Sequence, residues 1–144
     1  MMITALQIPG YLSAAFLIDK VGRKPILVSY MMLAGVASYF FGTSTGELSI
    51  IFFGGVISFF NLGAWAVTYA YTPELYPTRI RATGAGWAGA LARIAGIIAP
   101  ITTAIAVSTL GIFQTFIGFF AAHFVAAAIV AILGIETVGK TLEE

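Results

Sequence analysis

One charged residue of this sequence stands alone in an apolar stretch: Arg93, within GALARIAGIIAP at residues 89–100. The guanidinium of an arginine stays charged at any biological pH, and its parallel N–H donors fit the two oxygens of a carboxylate. Two interpretations follow. Arg93 binds the carboxylate of a substrate anion in a cavity, or it pairs with an acid of another segment where small residues bring two helices close together.

Four further positions carry polar or aromatic side chains in apolar surroundings. Asn61, Trp65 and Tyr69 recur at four-residue steps, which places them on one face of a helix. Such a stripe is suited to stacking on an aromatic ring, and it is equally typical of packing between helices. His123 stands in another apolar run, where it either relays protons or simply hydrogen-bonds a neighbouring helix.

The composition indicates which class of protein holds these residues. Hydrophobic residues make up 60% of the 144 residues and charged residues only 9%, whereas soluble domains carry about 25% charged residues. This predicts an integral membrane protein whose surroundings are the lipid bilayer. The lack of cysteine excludes disulfides, thiol catalysis and cysteine–metal sites. The net charge of +1 gives no indication of a nucleic-acid partner.

Charged and turn residues divide the chain into five apolar runs, each near the roughly 20 residues that a membrane-crossing helix needs. We therefore predict an all-α, polytopic membrane protein with five transmembrane helices at about 2–18, 25–42, 49–71, 82–107 and 112–135. The first basic residue is Lys20, so the N-terminal run lacks the positive start of a signal peptide and is interpreted as a membrane helix.

The distribution of basic residues predicts the orientation of these helices. Six of the seven Lys and Arg residues lie in the first break, the third break or the tail, which share one side of the membrane. The breaks on the other side contain no basic residue. Because cytoplasmic loops carry the excess of Lys and Arg, the N-terminus is predicted outside and the C-terminus in the cytoplasm, with the cell membrane as the location.

The depth of Arg93 makes its charge costly. It lies twelve residues after Arg81, which is about 18 Å along a helix axis and close to the middle of a hydrocarbon layer about 30 Å thick. A charge at that depth costs about 2.5–3.5 kcal/mol or more. Gly86, Gly96 and Pro100 lie near it on the helix surface and leave space around the guanidinium. The six acids all lie at helix ends or in the tail.

Charged motifs mark the predicted cytoplasmic helix ends. The first break reads Asp19-x-x-Gly22-Arg23-Lys24, followed by Pro25, and the third is PELYPTRIR, residues 73–81. The tail ends IETVGKTLEE, residues 135–144. On residue type alone these are tight turns: Gly22 permits unusual backbone angles, Pro25 suits the start of a helix, and Asp19 is suited to facing a helix N-terminus. Their charges would then only orient the chain.

These three motifs, in this order, resemble those of the major facilitator superfamily. The first is similar to the motif between helices eight and nine of that family, the second to the loop between helices ten and eleven, and the third to the PETKG tail after helix twelve, with Ile135 and Val138 as departures. The resemblance implies that the chain, residues 1–144, is the C-terminal part of a twelve-helix fold. Its partner would be a missing segment containing the N-terminal half and helix seven.

The resemblance also implies roles for the loop charges. In the family, the acids and arginines of these loops form a network that closes the cytoplasmic side in the outward-facing state. The positions that match are Asp19, Gly22, Arg23, Lys24, Glu74, Arg79 and Arg81. They are predicted to gate the transporter and not to bind substrate. The alternative, that they only set topology, stays open.

For substrate, the resemblance is to the organic-ion and aromatic-acid branch. This branch includes nicotinate-type carriers, and the stretch QIPGYLSAAFLIDKVGRK, which contains Gln7, is similar to theirs. It implies that Arg93 contacts a substrate anion and that Gln7 belongs to the same site. The stripe of Asn61, Trp65 and Tyr69 supplies further pocket walls if it stacks on an aromatic ring. We therefore predict secondary transport, by symport and alternating access, of a small organic anion such as an aromatic monocarboxylate. The alternatives are a sugar or polyol carrier and a truncated, non-transporting fragment. No enzymatic constellation, cofactor or metal site is predicted.

Overall fold

The computed structural model describes residues 2–139, and the chain folds there into helices joined by short turns. A single helical turn precedes five longer helices. The elements are α1 (Met2–Ala5), α2 (Gln7–Val21), α3 (Arg23–Thr43), α4 (Glu47–Glu74), α5 (Arg81–Leu110) and α6 (Ile112–Leu133). The predicted all-α membrane fold is confirmed. Helices α3 to α6 are each long and apolar enough to cross a membrane.

The first predicted run differs from a single straight helix, because it is divided at Leu6 into α1 and α2. Pro9 explains the division. It has no N–H to donate to the carbonyl of Ala5, and its ring crowds that carbonyl, so the hydrogen-bond ladder of the helix is interrupted there. Helix α2 alone has 15 residues, fewer than a membrane-crossing helix needs.

Two glycines make the tight turns between antiparallel helices. Gly22, between α2 and α3, has φ +116°, and Gly111, between α5 and α6, has φ +90°. These left-handed angles are strained for a residue with a Cβ. Helix α3 begins at Arg23, two residues before the start that Pro25 predicted, because a side chain from the tail binds the first N–H groups of this helix.

The core lies where α3 packs against α4 and α6 and where α2 packs against α4. Ala14, Leu27, Tyr30, Val67 and Tyr71 belong to its buried cluster. Glycines bring the helices close together. A Cβ on Gly10 would overlap the carbonyl of Phe59, and a Cβ on Gly63 would overlap the ring of Tyr30. Small residues at such contacts are the usual means of packing helices in membranes.

Helix α5 lies at the edge of the described bundle. It touches α4 and α6, yet none of its residues is buried. A Cβ added at Gly86, Gly89 or Gly96 would have no neighbour within 4 Å. These glycines of α5 therefore leave open space around them within residues 2–139, and Arg93, one turn after Gly89, is exposed.

Candidate functional site

Arg23 is the centre of a cluster of charges at one end of the bundle, which we call the charged end. Its Nε donates to both carboxylate oxygens of Glu74, at 3.3 and 3.2 Å. Its Nη1 donates to Asp19 Oδ1 and to the carbonyl of Ile18, each at 3.0 Å. The side chains of Arg23 and Glu74 are only 18% and 22% exposed, whereas that of Asp19 is 73% exposed. The pair with Glu74 is therefore less screened by solvent than the pair with Asp19.

Glu136, from the tail after α6, caps the N-terminus of α3. Its Oε1 accepts from the backbone N–H of Arg23 at 3.1 Å, and its Oε2 accepts from that of Lys24 at 3.2 Å. The N–H groups of Thr137 and Val138 also donate to Oε1, at 2.9 and 3.0 Å. Helix N-termini favour anions, since their N–H groups are free and the helix dipole is positive there.

This capping shifts the titration of Glu136. Burial of the carboxyl on its own would raise the pKa, but hydrogen bonds from the backbone N–H groups of Val138, Arg23, Thr137 and Lys24 outweigh burial and hold the pKa of Glu136 below its ordinary value. Gly22 leaves the room for this contact, because a Cβ there would collide with the Glu136 carboxylate. Glu136 thus binds at the N-terminus of α3, whereas the sequence suggested that Asp19 would face a helix N-terminus.

Two more contacts attach the tail to α4. The hydroxyl of Thr137 donates to Glu74 Oε2 in a short hydrogen bond, so one carboxylate serves both Arg23 and Thr137. The hydroxyl of Tyr71 donates to the carbonyl of Ile135 at 2.6 Å. The charged end therefore joins three segments: the α2–α3 turn, the end of α4 and the tail.

The structure does not bring every predicted gating residue into this cluster. Arg81 donates instead within its own loop, to the carbonyl of Tyr76 at 3.3 Å and to Thr78 Oγ1 at 3.1 Å. Arg79 is exposed, and within residues 2–139 neither arginine has an acidic partner. Lys24 contributes its backbone N–H.

Sequence reasoning gave no role to Glu136 or Thr137, and it considered Tyr71 only as a pocket-wall or membrane-interface residue. The tail motif, in which Glu and Thr follow the last helix, could have indicated Glu136 and Thr137. Ile135 and Val138 depart from that motif, however, and made the match weaker evidence. The contacts use Glu136, Thr137 and backbone groups, so both departures are harmless to them. Residues 140–144 of the same motif lie outside the described residues.

The predicted aromatic stripe lies on an exposed face of α4. Trp65 and Tyr69 are 55% and 56% exposed, and their rings meet edge to face with centroids 4.4 Å apart. They border a hollow of about 270 Å³ between α4 and α5, whose α5 wall includes Gly89 and Ala92. We call it the aromatic hollow. Its wall is almost entirely aromatic rings and small side chains, which suits a flat ring.

A second hollow of about 470 Å³ adjoins the first at Trp65 and also takes in Gln7, Ser58 and Asn61. We call it the polar hollow. The four residues predicted to form pocket walls, Gln7, Asn61, Trp65 and Tyr69, thus all line one or both of these neighbouring hollows. A larger hollow of about 690 Å³ between α1 and α4 is lined only by apolar residues, and it offers no side chain to bind an anion.

Arg93 lies one turn beyond Gly89 on the same face of α5, and Gly89 forms part of the aromatic hollow. Its side chain is exposed and has no hydrogen bond or ion pair within the described part of the chain. Asn61 lies thirteen residues before Glu74, about 20 Å along its helix. This depth matches that of Arg93 in α5, so the polar groups of both helices lie at a similar level.

His123 hydrogen-bonds a neighbouring helix, as one of the two interpretations of the sequence predicted. Its Nε2 lies 3.0 Å from Asn61 Oδ1 of α4, and its Nδ1 lies 2.8 Å from the carbonyl of Phe119, one turn earlier in α6. A role in relaying protons stays a prediction. The bond links α6 to Asn61, which lines the polar hollow.

An all-helical bundle with these motifs at its helix ends defines a class of membrane transporter, and comparison with known proteins agrees. Residues 2–144 match the model of the sugar (and other) transporter family, so the chain belongs to that family. It is 49% identical over 138 residues to the niacin transporter NiaP of Acinetobacter baylyi, covering 95% of this chain and 31% of that protein. It is 46% identical over 144 residues to the putative niacin/nicotinamide transporter NiaP of Bacillus subtilis, covering 99% of this chain and 36% of that protein.

A third relative is the putative metabolite transport protein YdjK of Escherichia coli, 33% identical over 135 residues, with 93% of this chain and 29% of that protein covered. The chain thus spans about a third of the length of the curated relatives that it matches. These matches confirm the predicted major-facilitator resemblance, the partial fold and the multi-pass membrane character. They also indicate a transporter family and not an enzyme.

Proposed function

We propose that residues 1–144 form the C-terminal part of a secondary transporter that carries a small aromatic monocarboxylate, with niacin as the model substrate. The observation that carries this proposal is the position of Arg93: exposed, without an acidic partner in residues 2–139, at mid-depth, and one turn from the aromatic hollow. The relatives named for niacin transport support the substrate class.

The site chemistry divides between two groups of residues. The guanidinium of Arg93 supplies the charge and the paired N–H donors that a carboxylate needs. Trp65 and Tyr69 supply flat apolar surfaces for a ring. A sugar would instead require several uncharged hydrogen-bonding groups, and it carries no negative charge to pair with a guanidinium. The family description includes sugars, yet Arg93 favours an acid.

The test is a binding measurement on the full-length protein, with nicotinate as the acid and nicotinamide as its neutral analogue. Arg93→Ala should weaken nicotinate binding about tenfold or more, since a charge-assisted hydrogen bond contributes about 1.5–3 kcal/mol, and should affect nicotinamide far less. Arg93→Lys should restore little, because an ammonium lacks the planar pair of donors. Lys20→Ala, which removes an equal charge from the exposed end of α2, serves as control.

Equal losses for the acid and the amide would refute the assignment and make Arg93 a structural residue paired with an acid elsewhere in the protein. Unchanged nicotinate binding in Arg93→Ala would refute it as well.

We also propose that the charged end is the cytoplasmic gate of an alternating-access cycle. The contacts of Arg23 with Glu74 and Asp19, and those of Glu136 and Thr137 with α3 and α4, hold three segments together. Opening this end requires these contacts to part. A network of moderate strength is suited to this, because it closes the end firmly yet separates within a transport cycle.

A further inference from the structure

His123 has an unusual hydrogen-bond environment, because both ring nitrogens face oxygen atoms. Nδ1 lies 2.8 Å from the carbonyl oxygen of Phe119, and Nε2 lies 3.0 Å from Oδ1 of Asn61. A neutral imidazole has one N–H donor and one bare nitrogen that only accepts. It can therefore donate to only one of these oxygens. Both ring nitrogens are paired only if the ring carries a second proton, or if the Asn61 amide rotates by half a revolution and presents its NH₂ group to Nε2.

Within residues 2–139 no acid pairs with this ring. His123 lies ten residues from the end of α6, about 15 Å along the axis, and a charge within the membrane is costly without a partner. The groups that face it from the neighbouring helices are Gly35 of α3, which lies against its Cβ, and Asn61 of α4. Neither is titratable, and the acids of the chain lie at helix ends or in the tail.

For a neutral ring, the two contacts of His123 determine the orientation of the amide. The carbonyl of Phe119 only accepts, so Nδ1 carries the proton and Nε2 is bare. A bare Nε2 requires a donor, and Asn61 provides one when its amide turns by half a revolution and presents Nδ2–H to the ring. The two ends of an amide have nearly the same shape, so hydrogen bonding decides between them.

We infer that His123 is a positioning residue: it holds the Asn61 amide with its carbonyl oxygen directed into the polar hollow, beside Gln7 and Trp65. Asn61 then acts as an acceptor, and the part of a ligand that meets it is a hydrogen-bond donor. The inference rests on the proposed function only in treating this hollow as part of the substrate site.

The single histidine of the chain makes the tautomer directly measurable. We would label the chain with ¹⁵N-histidine, place it in lipid nanodiscs at pH 7.5 and record long-range ¹H–¹⁵N spectra. The expected result is a protonated Nδ1 and a bare, hydrogen-bonded Nε2. A protonated Nε2, alone or together with Nδ1, would overturn the inference.

Variants of Asn61 add a second, independent measurement. Asn61→Asp offers only acceptors, so Nε2 should gain a proton. Asn61→Leu offers nothing, so the Nε2 signal should move toward that of a nitrogen without a hydrogen bond. Ser58→Ala changes another wall of the same hollow and should leave the signal unchanged. An Nε2 signal that is identical in the parental chain and both Asn61 variants would also overturn the inference.

The ligand preference is tested in the full-length protein with 3-hydroxybenzoate, which carries a donor, and 3-fluorobenzoate, which does not. The parental protein should bind the hydroxyl compound several-fold more tightly, and Asn61→Leu should abolish that difference. Equal binding of both by the parental protein would contradict the acceptor role of Asn61. If the full-length protein binds neither these compounds nor nicotinate while the tautomer is as expected, the proposed function fails and the amide orientation stands.

Discussion

Arg23 of α3 and Glu74 of α4 are 51 residues apart in the sequence, yet Arg23 Nε lies 3.2 Å from Glu74 Oε2. The same carboxylate accepts the hydroxyl of Thr137. Glu74, at the end of α4, therefore contacts both the α2–α3 turn and the tail. Removing its charge should affect all three segments at once.

For this reason we expect Glu74→Gln and Asp19→Asn to differ. Glu74 is 22% exposed and Asp19 73% exposed, so Asp19→Asn should lower stability by less than about 1 kcal/mol. Glu74→Gln should cost about 1–3 kcal/mol, since it weakens charge-assisted hydrogen bonds to a mostly buried arginine. Thermal unfolding of the chain in detergent measures both. Equal losses would show that solvent screens the two pairs alike.

If the charged end is a gate, Asp19→Asn also has an effect on transport. In the full-length protein, Asp19→Asn should slow turnover, because the closed cytoplasmic face is destabilised, while substrate binding from outside stays nearly unchanged. Uptake and outside binding, measured in the same proteoliposomes, give the comparison. Turnover of Asp19→Asn at the parental rate would remove Asp19 from the gate.

The lowered pKa of Glu136 predicts a dependence of stability on pH. The Glu136 carboxyl binds its proton less readily in the folded chain than in the unfolded chain. Its contribution to the free energy of unfolding is therefore complete at pH values above the ordinary pKa of a glutamate. It is lost as the pH falls through the lowered folded value. The difference in melting temperature between the parental chain and Glu136→Gln should therefore shrink between pH 7 and pH 3.

A matched control for that series is Glu47→Gln, which alters an exposed acid at the start of α4. Its difference from the parental chain should be small at both pH values. A Glu136→Gln difference that is the same at pH 7 and pH 3 would mean that the carboxylate charge does not stabilise the cap.

Gly63 and Gly86 offer a matched pair of helix glycines. A Cβ at Gly63 would overlap the buried ring of Tyr30, whereas a Cβ at Gly86 would meet nothing within 4 Å. Gly63→Ala should therefore lower stability by about 1–3 kcal/mol through overpacking, and Gly86→Ala should leave it unchanged or slightly raised. Unfolding of the chain in detergent tests both. A tolerated Gly63→Ala would show that Tyr30 moves aside at low cost.

The proposed orientation is open to cysteine labelling, since the chain has no cysteine of its own. We expect Thr45→Cys, in the α3–α4 turn, to react with a membrane-impermeant maleimide added outside intact cells. Pro77→Cys, in the loop before α5, should react only after the cells are opened. Both positions are exposed. The reverse pattern would invert the orientation deduced from the basic residues.

Much of the fold followed from the sequence, because apolar runs separated by charges specify membrane helices almost directly. Spans at 25–42, 82–107 and 112–135 fall within a few residues of α3, α5 and α6. The division at Leu6 was missed, although Pro9 marks it, because hydropathy alone does not register a missing N–H. The early start of α3 was missed because its cap, Glu136, lies 113 residues away in sequence.

The candidate site was predicted less completely. Residue types identified the charges at 19, 23 and 74, which the structure brings together, and the helical spacing placed Asn61, Trp65 and Tyr69 on one face. Arg81 was assigned to the same network, but its loop turns it toward Tyr76 and Thr78. Loop geometry of this kind depends on local turns and not on spacing, so the sequence could not foresee it.

The cap of α3 has a consequence for the order in which the chain is assembled. Ribosomes deliver helix α3 to the membrane well before the tail that holds Glu136 has been synthesised, since 112 residues separate Lys24 from its capping acid. Until then, the first N–H groups of α3 have no carboxylate to accept them and are expected to bind water at the membrane interface. The cap of α3 can form only after Glu136 has been synthesised, so a ribosome that stalls before Glu136 leaves a nascent chain in which the N-terminus of α3 has no capping carboxylate.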